Sequence, residues 1–325
     1  MAVWLLPLLL EYIFGSTKKM NYKEKEITLI SVIVPCYHQS EELPSCLDSL
    51  VNQNNEYAYE IIVVDSGNDP KVQAVCRRYP NVRVISDQGR LLCGQAKNFG
   101  AEASDSDLLA FTDSDCIPSK DWLEQAVKAL LSGSLMVGGA VLDGQPRNLI
   151  AVSDNLLQFS DVPLGRPAGK IVHLPGCNLA ITRQAYDAAG GFGEGNSGDD
   201  VKLSTEVNAH FSQGIDFKPE MVVRHLGRRT LIDYLRHQHA FGHTRGLLGL
   251  RLKPRQQLLG RLWIMLPGVI LKRSSYLLKQ TARYQPYRLT VYFALSPLLL
   301  LGLTAYAIGF RQGCREASTD PKVNL

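Results

Sequence analysis

Between residues 27 and 131, short apolar runs rich in β-branched residues alternate with segments of helical spacing, and no other feature constrains the fold as strongly. The predicted strands are residues 27–34, 59–64, 82–85 and 108–112, and the predicted helices are residues 40–51, 71–79, 93–103 and 122–131. Strands that alternate with helices form a parallel sheet covered by helices on both faces. The sequence therefore predicts an α/β fold with a Rossmann-like, mostly parallel sheet.

Polar residues directly follow three of the predicted strands. They are the segments 35–37 (PCY), 65–67 (DSG) and 113–115 (DSD). In parallel sheets, ligands bind at the carboxyl ends of the strands. We therefore expect these three segments to build one binding site.

Asp113 and Asp115 form a D-x-D pair. In extended chain, residues two apart project to the same side, so the two carboxylates can converge on one ion. Mg²⁺ and Mn²⁺ prefer carboxylate oxygens and commonly share substrate phosphates. A solvated turn is the alternative for so short a pattern. The position of the pair after an apolar strand favours a metal site.

Three further acidic residues each have two interpretations. Asp65 either caps the turn that follows it or accepts hydrogen bonds from a nucleotide. Asp199 and Asp200 precede a helical run, residues 201–211, and either stabilise the helix N-terminus or supply a general base. The helix terminus would lower the pKa of such a base, whereas burial beside a second acid would raise it. The sequence leaves these alternatives open.

The charge is unevenly distributed. Between Arg224 and Arg288 there are fourteen Lys and Arg but one acidic residue, Asp233. The uncharged stretch that follows, residues 289–310 (LTVYFALSPLLLLGLTAYAIGF), is long enough for a transmembrane helix. Anionic lipid therefore accounts for the basic segment better than nucleic acid does.

More basic residues precede residues 289–310 than follow them, which predicts an inner-membrane protein whose main body faces the cytoplasm. Seven cysteines with no C-x-x-C pair disfavour a disulfide framework and fit a reducing compartment. Two shorter apolar stretches are expected to be an interfacial or re-entrant helix (258–271) and a peripheral arm (1–14). We divide the chain into a hydrophobic N-terminal arm and linker (1–26), an α/β domain (27–250), a basic interfacial helical segment (251–288), a transmembrane helix (289–310) and a tail (311–325).

The order of the motifs resembles glycosyltransferase family 2, with its GT-A fold, from about Ile30 to Gly246. The matching segments are SVIVPCYHQ, VVDSGND, LLCGQAKNFGA, FTDSDC and LPGCNLAITRQAYDAAGGFGEGNSGDDVKL. They resemble the family's opening strand, its second nucleotide-binding strand end, its glycine–basic–asparagine segment, its metal-binding acids and its acceptor-side stretch ending in the acidic base motif. Each segment is short, but five in the same order are hard to explain by chance.

The resemblance implies a role for each matching residue. The nucleotide sugar would be held by Pro35, Tyr37, Asp65, Lys97, Asn98 and Asp113. The acceptor side would include Gly176, Asn178, Gly191 and Phe192. The metal would be bound by Asp115, with Asp113 and His225 as further contacts, although His225 could equally be an ordinary packed histidine. Asp200 would be the catalytic base, with Asp199 beside it.

Three departures from the family pattern bear on function. Asp199 stands where the base motif usually begins with Glu, and Lys97 stands where Arg is common, which replaces a bidentate group by a point charge. After Gln238 the sequence is HAFGHTRG instead of Q-x-x-R-W, the signature of processive synthases. A non-processive enzyme that adds one sugar is therefore expected.

The resemblance implies inverting transfer of one sugar, with Mg²⁺ or Mn²⁺, from a nucleotide-diphosphate sugar to a hydroxyl group. A UDP-sugar is the expected donor, and a lipid-linked or polysaccharide acceptor, as in exopolysaccharide or glycolipid synthesis, is the expected acceptor. The alternatives are a nucleotidyltransferase acting on sugar phosphates and a non-catalytic membrane scaffold.

Overall fold

A computed structural model describes residues 29–87, 89–193, 198–248, 263 and 266–317. The strands in this part of the chain are β1 (Ile30–Cys36), β2 (Tyr59–Asp65), β3 (Val82–Ile85), β4 (Leu108–Thr112), β5 (Cys116–Pro118), β6 (Met136–Asp143), β7 (Gly169–Ile171), β8 (Asn178–Thr182) and β9 (Ile215–His225). The helices are α1 (Leu43–Val51), α2 (Pro70–Cys76), α3 (Cys93–Glu102), α4 (Trp122–Leu131), α5 (Leu149–Phe159), α6 (Arg183–Ala188), α7 (Asp199–His210), α8 (Leu231–Leu248), α9 (Leu266–Tyr284), α10 (Leu289–Ala294) and α11 (Ser296–Glu316). The predicted arm at residues 1–26 lies outside the described residues.

The nine strands form one sheet in the order β3-β2-β1-β4-β8-β6-β9-β5, with β7 also beside β9. Strands β1 to β4, β6 and β9 run in one direction, and β5, β7 and β8 run in the other. Every residue of β1 and β4 is buried, as expected of apolar strands covered on both faces. The predicted α/β fold with a mostly parallel sheet is confirmed.

The parallel strands bring distant parts of the chain to one edge of the sheet. Cys36 at the end of β1 pairs with Asp65 at the end of β2, and β4 on the other side of β1 ends at Thr112. Further along, the last residue of β9, His225, pairs with Cys116 at the start of β5. The D-x-D segment therefore lies between the β1–β2 ends and the end of β9.

The C-terminal helices form a second apolar cluster against α5 and α8. Leu157 of α5 and Tyr234 of α8 are fully buried there with Leu299 and Leu303 of α11. Gly302 of α11 lies against Tyr234, and Gly313 lies against His243. The two helices therefore run in the same direction, and the small glycines let them approach closely.

Residues 289–310, predicted as one transmembrane helix, form parts of two helices instead. α10 ends at Ala294 and α11 begins at Ser296, and the segments Pro286–Ala294 and Ser296–Glu316 are bent by 78° at this break. Pro297 lies in the first turn of α11, where its missing N–H costs nothing, so the helix starts anew there. Among the described helices none alone has the length and hydropathy of a span, although this bent pair together does. The span itself stays a prediction.

Candidate active site

A cleft of about 260 Å³ opens at the carboxyl edge of the sheet. Its lining includes Pro35 near the end of β1 and Tyr37 directly after it, Ser66 after β2, and both Asp113 and Asp115 after β4. The structure therefore brings the three polar segments of the sequence to one cleft. A larger opening of about 740 Å³ shares Asp115 with this cleft, so the Asp115 carboxylate faces both spaces.

Asp115 is buried beside an arginine and a histidine. Its Oδ2 atom accepts a hydrogen bond of 2.9 Å from Nη1 of Arg228 and lies 3.6 Å from Nε2 of His225. Burial alone would raise the pKa of Asp115, but His225 and Arg228 outweigh it and lower that pKa to about 2. Asp115 is therefore ionised at neutral pH.

The hydrogen bonds of His225 fix which ring nitrogen faces Asp115. Asn155 donates through Nδ2 to the carbonyl of His225 (3.1 Å) and to Oδ1 of Asp143 (3.2 Å), so its Oδ1 must accept from Nδ1 of His225 at 2.7 Å. Nδ1 then carries a proton, and Nε2 is the ring nitrogen that faces Asp115. One ligand atom each of Asp115, Cys116 and His225 lie within 4.8 Å of one another.

This donor set fits a divalent cation. A carboxylate and an imidazole oriented by a hydrogen bond at its other nitrogen are common ligands of such ions. Burial raises the pKa of Cys116 well above its ordinary value, so its neutral thiol is a poor ligand beside them. Asp115 and His225, which the family resemblance names as metal contacts, thus lie next to each other.

Asp113 faces the opposite wall of the cleft, towards Lys97. Its Oδ1 atom lies 3.0 Å from the Lys97 ammonium, which also lies 4.0 Å from Oδ2 of Asp199. Burial would lower the pKa of Lys97, but the neighbouring acids reverse this and raise it well above its ordinary value. Lys97 is therefore a buried, permanently charged ammonium between the D-x-D segment and the acidic pair at α7.

Asp199 and Asp200 open α7 after Gly198, and their environments differ. Burial raises the pKa of Asp199 to about 6, and the charge of Asp200 adds to this effect against the attraction of Lys97. Burial would also raise the pKa of Asp200. Two nearby basic groups, His173 and Lys97, outweigh burial and hold that pKa below its ordinary value. Nε2 of His173 lies 3.4 Å from Oδ2 of Asp200. Adjacent carboxylates with separated pKa values are typical of catalytic acid–base pairs.

Asp65 caps a turn, the first of the two alternatives. Its two oxygens accept hydrogen bonds from the backbone N–H groups of Gly67 (3.2 Å) and Asp69 (2.9 Å). Asp65 is fully buried and does not line the cleft, whereas Ser66 does. His38 at φ 53° bonds Asp69 at 3.0 Å, so the loops after β1 and β2 are fixed together.

Asn98, expected to contact the donor, instead holds the loop before α7. Its Oδ1 accepts from the Tyr186 hydroxyl (2.6 Å) and the Phe192 N–H (2.9 Å), and its Nδ2 donates to the Phe192 carbonyl (3.2 Å). Gly191 adopts φ 67°, and a Cβ there would lie 2.7 Å from Oδ1 of Asn98. Phe192 is buried with Lys97 5.2 Å from its ring centroid, so Asn98, Gly191 and Phe192 support the wall of the site.

Asn178, expected on the acceptor side, is part of the core. It accepts from Nε1 of Trp122 (2.8 Å) and donates to the carbonyls of Ala140 (3.0 Å) and Met221 (2.9 Å), and it is fully buried. Every polar atom of its side chain is thus used by the fold. Gly176 is closer to the chemistry, since its N–H donates to Oδ2 of Asp200 at 3.2 Å.

The sequence interpretation missed two cations of the cleft. Arg228 lines both openings and bonds Asp115, and the Arg90 guanidinium lies 4.4 Å from the ring centroid of Tyr37 over the cleft. Arg228 belongs to the basic segment that had been assigned to lipid as a whole. Its position three residues after the end of β9 was the available signal, because β9 ends at the same edge as the D-x-D segment.

A family model described as "Glycosyl transferase family 2" matches residues 31–189, which carry the strands and acids of the cleft. This segment, just under half of the chain, is a glycosyltransferase family 2 domain. Among curated members, it is 27% identical over 172 residues to the glycosyltransferase AglE of Haloferax volcanii, covering 51% of this chain and 56% of that protein. It is 24% identical over 239 residues to the pre-mycofactocin glycosyltransferase of Mycobacterium tuberculosis, covering 68% of this chain and 48% of the relative.

The chain thus spans about half the length of these curated relatives. Over its whole fold it is similar to a mannosyltransferase from Pyrobaculum calidifontis solved in complex with GDP-Man and Mn²⁺. That match has a TM-score of 0.57 and 18% sequence identity and covers 94% of each chain, which shows a shared GT-A fold.

Proposed function

We propose that this protein transfers one sugar from a nucleotide-diphosphate sugar to a hydroxyl of its acceptor, with inversion at the anomeric carbon. The observation that carries the proposal is the arrangement around Asp115. An oriented His225 and a cation, Arg228, meet this carboxylate at a cleft, and a second cation, Lys97, pairs with Asp113 and with Asp199 of the acidic pair at α7. Such a cleft suits a diphosphate flanked by positive charge, and Lys97 connects it to the acidic pair.

Asp115 and His225 would hold a divalent cation, Mg²⁺ or Mn²⁺, which when bound neutralises charge on the diphosphate. The neighbour solved with GDP-Man and Mn²⁺ supports this assignment. Arg228 contributes a second positive group next to the same carboxylate, and Arg90 adds a third at the mouth of the cleft. Fixed cations that face a leaving group stabilise the charge that develops on it.

Asp200 and Asp199 have different roles in the proposed proton transfer. Asp200 is ionised at neutral pH and has 21% of its side chain exposed, so it can accept the proton of an incoming hydroxyl. Asp199 is more buried, with a pKa of about 6, and it faces the Lys97 ammonium. We assign Asp200 as the general base and Asp199 as a positioning residue that holds Lys97.

We further propose that the protein is attached to the inner membrane with its catalytic cleft in the cytoplasm, and that its acceptor is lipid-linked or a saccharide. The C-terminal helices support attachment, because they expose large apolar side chains. The most exposed on these helices are Leu271, Tyr276, Phe293, Leu300 and Leu301. Helix α9 adds four basic residues and no acidic one, as expected of a surface that faces anionic lipid.

A panel of nucleotide sugars tests the proposed function. Detergent-solubilised protein is incubated with UDP-sugars and GDP-sugars, with Mn²⁺ or with a chelator, and the released nucleotide is identified. We expect metal-dependent release of a nucleoside diphosphate from one donor class. Release of pyrophosphate would indicate a nucleotidyltransferase, and donor binding without any release would indicate a scaffold.

A further inference from the structure

We propose that the cavity between α9 and α11 binds the anionic headgroup of a membrane lipid. The cavity has a volume of about 450 Å³ and lies away from the catalytic cleft. Its lining includes Lys272, Arg273, Tyr276, Lys279, Tyr306 and Phe310. The proposal rests on the membrane attachment proposed above, and it adds a defined lipid site to it.

The mouth of this cavity is positively charged. Lys272 and Lys279 line it from two turns of α9, and both side chains are solvent-exposed. Neither lysine forms an ion pair with another described residue, and none of the described residues that line the cavity is acidic. Asp161, which is not part of the cavity lining, accepts hydrogen bonds from the side chains of Tyr276 and Gln280 on α9. The two ammonium groups are thus available to a bound anion.

Arg273 supplies a third cation at the inner end. Its guanidinium lies 4.5 Å from the ring centroid of Tyr306 and 5.6 Å from that of Phe241, and its Nη2 donates to the carbonyl of Leu157 at 2.8 Å. Its Nε–H is buried and has no hydrogen-bond partner among the described residues. A buried donor without a partner is costly, and a phosphate oxygen would satisfy it with a charge-assisted bond.

The surroundings favour a lipid over a soluble anion. Tyr306 and Phe310 give the cavity aromatic walls, and exposed aliphatic side chains lie on both bordering helices, Leu271 on α9 and Ile308 on α11. A soluble phosphate would gain nothing from these groups, whereas acyl chains would cover them while the phosphate meets the cations. The combination of walls and charges points to one occupant, an anionic phospholipid.

The test measures lipid retained by the full chain in neutral detergent, by native mass spectrometry, with phosphatidylglycerol or phosphatidylcholine added. We expect one retained phosphatidylglycerol and no retained phosphatidylcholine. The double variant Lys272→Gln/Lys279→Gln should lose at least roughly tenfold in lipid affinity, since each basic side chain near an anionic lipid contributes severalfold. Arg283→Gln, on the same helix but outside the cavity lining, is the matched control and should retain the lipid.

A filling variant, Ser275→Phe, separates a built site from diffuse attraction. Ser275 lines the cavity, so the added ring should displace the lipid without changing the charge. Equal retention of both lipids, or an equal loss in Arg283→Gln, would overturn the proposal. Displacement of the lipid by glycerol 3-phosphate would instead show a soluble-anion site, against the proposal. Metal-dependent donor hydrolysis, measured on the same variants, should be unchanged, so failure of the transferase assignment and failure of the lipid site are distinguishable.

Discussion

Arg228 places its Nη1 atom 2.9 Å from Oδ2 of Asp115, the same oxygen that Nε2 of His225 faces at 3.6 Å. The guanidinium therefore compensates a buried carboxylate at the position where a divalent cation would share it. Two cations on one oxygen repel each other, so Arg228 and a metal ion compete for Asp115 unless a diphosphate binds between them.

Arg228→Gln should destabilise the metal-free protein and enlarge the stabilisation by Mn²⁺. Loss of the charge-assisted bond leaves Asp115 with less compensation, at a cost of roughly 1–2 kcal/mol, because Arg228 is one-third exposed. Thermal unfolding with and without Mn²⁺ measures both effects. Arg229→Gln, which removes an exposed pair with Glu42, is the control and should leave the Mn²⁺ effect as in the wild type. The same Mn²⁺ effect in both variants would contradict the competition.

Asp200→Asn should lower turnover by about 10²–10⁴ while the donor still binds, because a general base typically contributes that factor. The exchange keeps the shape of the side chain and removes its ability to take a proton. Steady-state rates measure the loss of turnover, and equilibrium binding of the donor measures whether its affinity is retained. Glu206→Gln, on the same helix, should leave both unchanged. Turnover within a few-fold of wild type would remove Asp200 from the mechanism.

Asp199 makes stability depend on pH in a predictable direction. Its pKa is raised to about 6 from an ordinary 3.8, so between these values the folded protein keeps a proton that the unfolded chain has lost. The contribution of Asp199 to the free energy of unfolding should therefore fall as pH rises from about 4 to 6, by up to roughly 3 kcal/mol at ~1.4 kcal/mol per pH unit.

Asp199→Asn should remove this loss. The free energy of unfolding of the variant, measured with urea, should therefore rise relative to that of the wild type between pH 4 and pH 7. Asp187→Asn, at an exposed site, should follow the wild type at both values. If the free energy of unfolding of Asp199→Asn instead falls relative to that of the wild type at pH 7, the attraction of Lys97 outweighs burial, and the assigned direction of the pKa shift is wrong.

The sheet could be predicted from the sequence because its strands are local apolar runs and the direction of β1 to β4 follows from the helices between them. The same reasoning put Tyr37, Asp113 and Asp115 at one edge. It could not separate Asp199 from Asp200, because their pKa values depend on Lys97 and His173, which are distant in the chain.

Long-range partners also explain the sequence interpretations that the structure corrects. Arg228 meets Asp115 across 113 residues, and Asn98 meets Phe192 across 94, so no local pattern reports either contact. The break in residues 289–310 did have a local signal, Pro297. A proline in the first turn starts a new helix, whereas one further inside kinks an existing helix, and composition does not separate the two cases.

A variant of Asn178 tests whether this side chain stabilises the fold or contacts the acceptor. Asn178→Ala removes the acceptor of the buried Trp122 Nε1–H and two donated bonds to backbone carbonyls, which should cost about 2–4 kcal/mol in unfolding free energy. Asn208→Ala removes two bonds from an exposed asparagine and should cost well under that amount. The acceptor KM of the folded Asn178 variant should match the wild type, because no polar atom of this side chain remains for a substrate. Unchanged stability with a raised acceptor KM would return Asn178 to the acceptor side.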